Sequence, residues 1–193
     1  MVDEGPQGLG VRERTVLVGV GEPGAVEVAG AAGGVGLVAV QLAAARGATV
    51  VATASRVKHD LLRELGAIPV VYGPGLADRV RAVAPEGVHA AADLVGTEGA
   101  VDVSVELVPN RLRIATIAGH ERGARAGIKF LGGVPGADPG TEIRRAARLQ
   151  LTEAATAGRL RIVIADSYPL REAATAHREI MAGHTTGKIV LVP

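Results

Sequence analysis

The sequence predicts an α/β fold: a doubly wound parallel sheet of about six strands with helices on both faces. Three observations predict it. Short β-branched runs alternate with Ala- and Leu-rich segments of about a dozen residues, the rhythm of βαβ units. A glycine-rich turn, Gly30-Ala31-Ala32-Gly33-Gly34-Val35-Gly36, lies between one such strand and one such helix. Hydrophobic residues make up 48% of the 193 and charged residues 21%, ample for a packed core in one domain or one domain with an appendage.

Residues 26–29 form a short strand interrupted by Glu27. Residues 34–46 form a helix with Val35, Val38, Leu42 and Ala45 on one face, and Gly47 ends it. Residues 49–54 (TVVATA) are the second strand, 57–65 a helix closed by Gly66, 69–72 a short strand and 76–84 a helix stopped near Pro85. Residues 89–95 and 113–118 are the fourth and fifth strands, with a helix over 99–107 between them. Residues 119–140 then loosen into a glycine-rich stretch in which 128–130 could form a sixth, edge-lying strand. A long helix follows over 141–157, with Thr141 as a candidate cap and Glu142 in its first turn. The chain closes with a strand over 161–165, an amphipathic helix over 171–182 and a strand over 189–192.

The first 24 residues read less clearly. Residues 15–20 (TVLVGV) look like a strand, followed by a turn at 21–24. This divides the chain into an N-terminal remnant or linker (1–24), a dinucleotide-binding domain (25–160) and a C-terminal strand-helix-strand segment (161–193).

Composition removes several classes of function. Net charge is +1, which gives no electrostatic case for nucleic acid or an anionic membrane. There is no cysteine, so disulfides, thiolate catalysis and cysteine-ligated zinc are excluded. The N-terminus lacks a signal-peptide pattern and no apolar run is long enough to span a bilayer, so a cytoplasmic location is expected. The histidines form no recognisable metal-ligand spacing, and no metal is expected.

Ligands of such sheets bind beyond the carboxyl ends of the strands, where the strand order reverses. The glycine turn has the chemistry required there. Small residues let the backbone approach a pyrophosphate, and the helix amino terminus offers free N–H groups and a favourable dipole. Gly30, Gly33, Gly34, Val35 and Gly36 are therefore candidate cofactor-binding residues of a Rossmann fold. At the end of the second strand an NAD-selective site carries an acid for the ribose hydroxyls. Here Ala54-Ser55-Arg56-Val57-Lys58 contains none. Ser55, Arg56 and Lys58 suit a 2′-phosphate, which points to NADPH (NADP).

These features together resemble the zinc-independent medium-chain dehydrogenases/reductases, nearest the quinone oxidoreductase-like branch with its enoyl reductase domains. The likeness rests on the glycine turn followed by Ala39-Val40-Gln41-Leu42-Ala43, and on Leu65-Gly66-Ala67, Asp93-Leu94-Val95-Gly96, Thr116-Ile117-Ala118-Gly119 and Gly183-His184-Thr185-Thr186-Gly187-Lys188-Ile189-Val190-Leu191. It implies hydride transfer from NADPH to a quinone, enone or similar activated acceptor. It implies that Ser55 and Lys58 hold the 2′-phosphate and that Tyr72 lies near the adenosine phosphate. Gly96 would line the groove, Ala118, Gly119, Phe130 and Leu131 would approach the nicotinamide, and Lys188 would reach the cofactor.

The departures from the family are informative. The N-terminal substrate domain of the family is missing, Glu27 stands where an apolar residue is usual, and Pro109-Asn110-Arg111 replaces a glycine-rich turn. No Tyr-x-x-x-Lys pair follows Tyr72 or Tyr168, and no catalytic acid is assigned. His120 is the histidine that could face a substrate, and Asp93 reads as a loop-orienting group. The arginines Arg79, Arg81, Arg144, Arg145 and Arg148 read as solvated helix faces. The partner is a small-molecule substrate, with a homodimer through 128–134 also conceivable. The alternative to an enzyme is a non-catalytic NADP(H)-binding module or sensor.

Overall fold

The computed structural model describes residues 24–193, so the strand and turn expected within 1–23 lie outside the described residues. A six-stranded parallel sheet has the order β3-β2-β1-β4-β5-β6. Its strands are β1 (Ala25–Ala29), β2 (Thr49–Thr53), β3 (Ala67–Val70), β4 (Val88–Asp93), β5 (Ile114–Thr116) and β6 (Lys129–Phe130). The chain runs outward from β1 to β3, then returns to place β4 on the other side of β1. The reversal between β1 and β4 is the switch point of a doubly wound fold.

Both faces of the sheet are covered by helices that join the strands. Helices α1 (Gly36–Ala44) and α2 (His59–Glu64) bury Leu37, Val40, Ala43 and Leu62 against Val26, Val28, Val50 and Ala52. Helices α3 (Leu76–Val83) and α4 (Glu98–Leu107) bury Leu76, Val80 and Val101 against Val51, Ala91 and Ile114 on the opposite face. Strands buried on both faces must be apolar along their whole length. That is why β2 and β4 carry the runs Val50-Val51-Ala52 and Ala90-Ala91-Ala92 rather than alternating patterns.

Glu27 breaks that rule at the centre of the sheet. β1 pairs with β2 and β4, so Glu27 is interior and not on an altered edge. Its side chain is 1% exposed, on the face covered by α3 and α4, and Ser104 Oγ of α4 donates to Glu27 Oε2 at 3.1 Å. Burial pushes its pKa up to about 8, with the Ser104 bond opposing and the Asp93 charge adding.

The second half of the chain corrects several expectations. Residues 120–126, expected to be loose, form helix α5 (His120–Ala126). The glycines there serve packing: a Cβ on Gly123 would meet Thr116 Cγ2 at 2.9 Å, so glycine lets α5 lie against β5. Helix α6 (Thr141–Thr156) is preceded by Gly140 in the left-handed region, and no side chain caps it, so Thr141 is its first residue rather than its cap. The strand expected at 161–165 begins later, as β7 (Ile164–Pro169). Arg161 is diverted to α1, where Gln41 Nε2 donates to its carbonyl at 3.0 Å and Gln41 Oε1 accepts from its N–H at 2.8 Å. β7 pairs in parallel with β8 (Lys188–Val192) as a separate two-stranded sheet, with α7 (Ala173–Met181) between them.

Candidate functional site

The turns that leave β1, β4 and β5 meet at the carboxyl edge of the sheet. Gly30 takes φ +73°, and a Cβ there would lie 3.2 Å from Val95 Cβ, so the β1 and β4 turns pass each other closely. Gly36 opens α1, and a Cβ on it would come within 2.4 Å of Gly30 O. Only glycine lets the helix start directly on the strand. Leu37 N–H is bonded back to Gly33 O at 3.0 Å, Gly33 is bridged to Gly187 of the C-terminal loop, and the amides of Val35 and Gly36 belong to the first turn of the helix, which has no partners within the helix. The crest of the turn is thus small side chains and free amides, a surface suited to an anion.

Asp93 holds the second wall, in the orienting role expected of it. Its Oδ1 accepts from the N–H groups of Val95 and Gly96 at 3.1 and 2.9 Å, and its Oδ2 accepts from Thr116 Oγ1 at 2.7 Å. Thr116 Oγ1 in turn accepts from the amides of Ala118 and Gly119 at 3.2 and 3.0 Å. One buried carboxylate therefore ties the β4 turn to the β5 turn. Gly96, at φ +72°, lies against both Ala118 and Gly119, where a Cβ would approach to 2.8 Å.

A cavity of about 1250 Å³ opens on one side of the glycine turn. Gly30, Gly33, Ser55, Lys58 and Tyr72 all line it. Ser55 precedes a 3-10 turn (Arg56–Lys58) and makes no capping bond to it. Arg56 is exposed on that turn and does not line the cavity, which separates it from Ser55 and Lys58. Tyr72 stands beyond the end of β3 and is 61% exposed. Its loop is held by Arg79, expected to be a solvated residue. The guanidinium donates to the carbonyls of Val71, Pro74 and Gly73 at 2.9, 2.8 and 3.1 Å. Arg81 does face solvent, paired with Asp78 and Glu106.

A second cavity of about 610 Å³ lies on the other side of the turn, between α1, the ends of β4 and β5, and α6. Its lining is apolar apart from Thr152, Thr156 and Lys188, and includes Gly34, Val35, Leu94, Ile117 and Leu131. A Cβ on Gly34 would lie 3.2 Å from Lys188 Nζ, so Lys188 reaches the glycine turn from this side. Phe130 lines neither cavity and packs on His120, with ring centroids 3.7 Å apart. That contact and its exposure place His120 outside both cavities. Tyr168 is bound to Glu179, and that bond pushes its phenol up to about 12, a poor proton donor.

Sequence reasoning missed how residues 183–188 cross the site. Gly187 N–H donates to Ala32 O at 3.1 Å and Lys188 N–H donates to Val163 O at 3.0 Å. Lys58 Nζ donates to Thr186 Oγ1 and, at 3.5 Å, to His184 O. The loop thus passes from one cavity, over the glycine turn, to the other. Contacts across more than 120 residues leave no local signal in sequence. Among the described residues no group of three acidic, histidine or cysteine side chains is placed to hold a metal ion, and no helix is long and apolar enough to cross a membrane.

A family model described as zinc-binding dehydrogenase matches residues 65–191. No curated protein matches the sequence. Among solved structures, the quinone oxidoreductase from Coxiella burnetii is 27% identical with a TM-score of 0.66, covering 90% of this chain and 54% of that one. The mycobacterial protein Rv1454c, complexed with NADPH, is 26% identical with a TM-score of 0.71, covering 88% and 56%. An NAD-dependent alcohol dehydrogenase is 25% identical with a TM-score of 0.73, covering 91% and 53%. The chain spans about half the length of each of these structures.

Proposed function

The chain belongs to the zinc-binding dehydrogenase family of medium-chain dehydrogenases/reductases, and on that premise we propose that it binds NADPH as the cofactor half of an oxidoreductase. The acceptor is a quinone, an enone or a similarly activated double bond. The observation that carries the reading is the acid-free end of β2, where Ser55 and Lys58 share one cavity with the glycine turn. A carboxylate there would repel a 2′-phosphate, whereas a hydroxyl and an ammonium bind it.

The residues present fit the cofactor. The Gly30–Gly36 contact leaves no room for side chains beneath the turn, and the amides of Val35 and Gly36 suit a pyrophosphate. Tyr72 walls the adenosine side, held by Arg79. Gly96, Ala118 and Gly119, fixed by Asp93 and Thr116, line neither cavity, whereas Leu131 and Lys188 line the apolar one. NADPH supplies hydride when bound. This chain's part would be to hold and orient it, and water can supply the proton. This chain contains no cysteine, so none of its own residues offers a thiolate to a zinc ion. The edge strand β6 offers a surface for a homodimer, and a cytoplasmic location suits a reductase drawing on NADPH.

Fluorescence titration of the purified chain with NADPH and with NADH tests the reading. Tighter binding of NADPH is expected. A preference for NADH, as the alcohol dehydrogenase similarity would favour, overturns the 2′-phosphate assignment. Steady oxidation of NADPH with a quinone or enone distinguishes an enzyme from a binding module.

A further inference from the structure

Thr185 sits at the centre of the loop that crosses the site. Its Oγ1 is shielded from solvent and is the one buried side-chain oxygen or nitrogen among the described residues without a hydrogen-bond partner. Leaving a hydroxyl buried and unpaired is costly, and it persists where something else rewards it. Thr185 lines the same cavity as Ser55 and Lys58. Both of its neighbours in sequence bind Lys58: Thr186 through its hydroxyl and His184 through its carbonyl. An ammonium has three donors, so these two bonds leave one for a ligand.

We propose that Thr185 reads the cofactor: its hydroxyl binds the 2′-phosphate of NADPH and completes, with Ser55 and Lys58, a site shared between the end of β2 and the C-terminal loop. A phosphate offers three acceptor oxygens, enough for two hydroxyls and an ammonium. Three staggered χ1 positions are open in principle to a threonine, so engaging the phosphate requires only a rotamer change at Thr185. Lys58 is held in place before the ligand arrives, which lowers the cost of ordering its long side chain. The loop keeps this register because Gly187, at φ +86°, lies so close to Val163 that a Cβ would come within 2.3 Å of its carbonyl oxygen.

This proposal rests on the NADPH reading, and one set of titrations separates the two. The full chain, Thr185→Val and Thr185→Ser are each titrated with NADPH and with NADH, and their melting temperatures are measured without cofactor. Valine keeps the shape and removes the hydroxyl. Thr185→Val is expected to weaken NADPH binding by about tenfold, the scale of one hydrogen bond to a charged group. Its NADH affinity should stay unchanged. Its melting temperature should equal or exceed that of the parent, because an unpaired buried hydroxyl has been removed. Thr185→Ser should bind NADPH as the parent does. Unchanged NADPH binding by Thr185→Val, or equal loss toward both cofactors, overturns the proposal while the NADPH reading stands. So does a serine variant as weak as the valine one, since the methyl group would then be the cause. Failure of the unmodified chain to bind either cofactor overturns both.

Discussion

The β1–β5 body and the C-terminal segment from α6 to β8 are built from similar apolar residues but are held by different forces. In the body, Val28, Val40, Val101 and Ile114 are fully buried and pack on both faces of the sheet. In the C-terminal segment no residue of α6 is buried, Leu149 is 67% exposed, and Ile164, Ile180 and Met181 face solvent. This segment buries only Leu160 and Ala176, packs Val163 on the core, and is otherwise attached by specific hydrogen bonds: Gln41 to Arg161, Ala32 to Gly187, and Lys58 to the 184–186 loop. Apolar content alone therefore says little about where stability resides. The body is secured by area removed from water, while the segment depends more on a few polar contacts that also border the candidate site.

The contrast breaks most readily through paired truncations. Ile114→Ala is expected to destabilise the chain by about 2–5 kcal/mol, whereas Leu149→Ala should fall within about 0.5 kcal/mol of the parent. Urea denaturation of both decides it, and equal losses would dissolve the distinction. Next in size is Gly36→Ala. The added Cβ has backbone within 2.4 Å and no side chain that could yield, so a loss of about 1–3 kcal/mol is expected, with NADPH binding lost as well. Binding preserved in that variant would show that the turn is not the phosphate cradle.

Glu27 sharpens the comparison from inside the body. Folding raises its pKa from 4.5 to about 8, so the fold favours the protonated form. Its contribution to stability is complete below pH 4.5, declines as pH rises, and is lost above about pH 8. The slope from this group reaches at most about 1.4 kcal/mol per pH unit. Glu27→Gln should remove that slope and make the chain more stable than the parent at pH 9. Denaturation midpoints between pH 6 and 9 test this. The smallest effect is expected from Gln41→Ala. It should speed amide exchange in residues 161–192 while leaving the global unfolding midpoint within about 1 kcal/mol.

The parts of the fold that were legible in sequence are those whose signal is local. The glycine turn, the apolar runs of β2 and β4, and the helices ended by Gly47 and Gly66 each carry their pattern within about a dozen residues. The glycine-rich stretch misled because Gly123 looks like a loop residue and is a packing residue. The strand near 161 was displaced because Gln41 captures Arg161, a contact that no periodicity encodes.

The candidate site divides in the same way. Gly30, Gly33, Gly36, Ser55 and Lys58 could be proposed as binding residues from spacing and chemistry, because the glycines share one turn and Ser55 and Lys58 follow the next strand, which pairs with β1. Arg56 met the same criteria, yet the 3-10 turn directs it away from the cavity. Arg79 reads in the sequence as a solvated arginine, and only folding shows it gathering three carbonyls behind Tyr72.

By itself the sequence determined the class of fold, the position of the glycine turn between strand and helix, and the absence of an acid at the end of the next strand, because each is a property of adjacent residues. Only the tertiary structure decided that Asp93 ties two turns together, that Glu27 lies at the centre of the sheet against Ser104, and that residues 183–188 cross the site to meet Lys58 and the glycine turn. Those outcomes depend on groups far apart in the chain, brought together when the apolar faces of the sheet are buried.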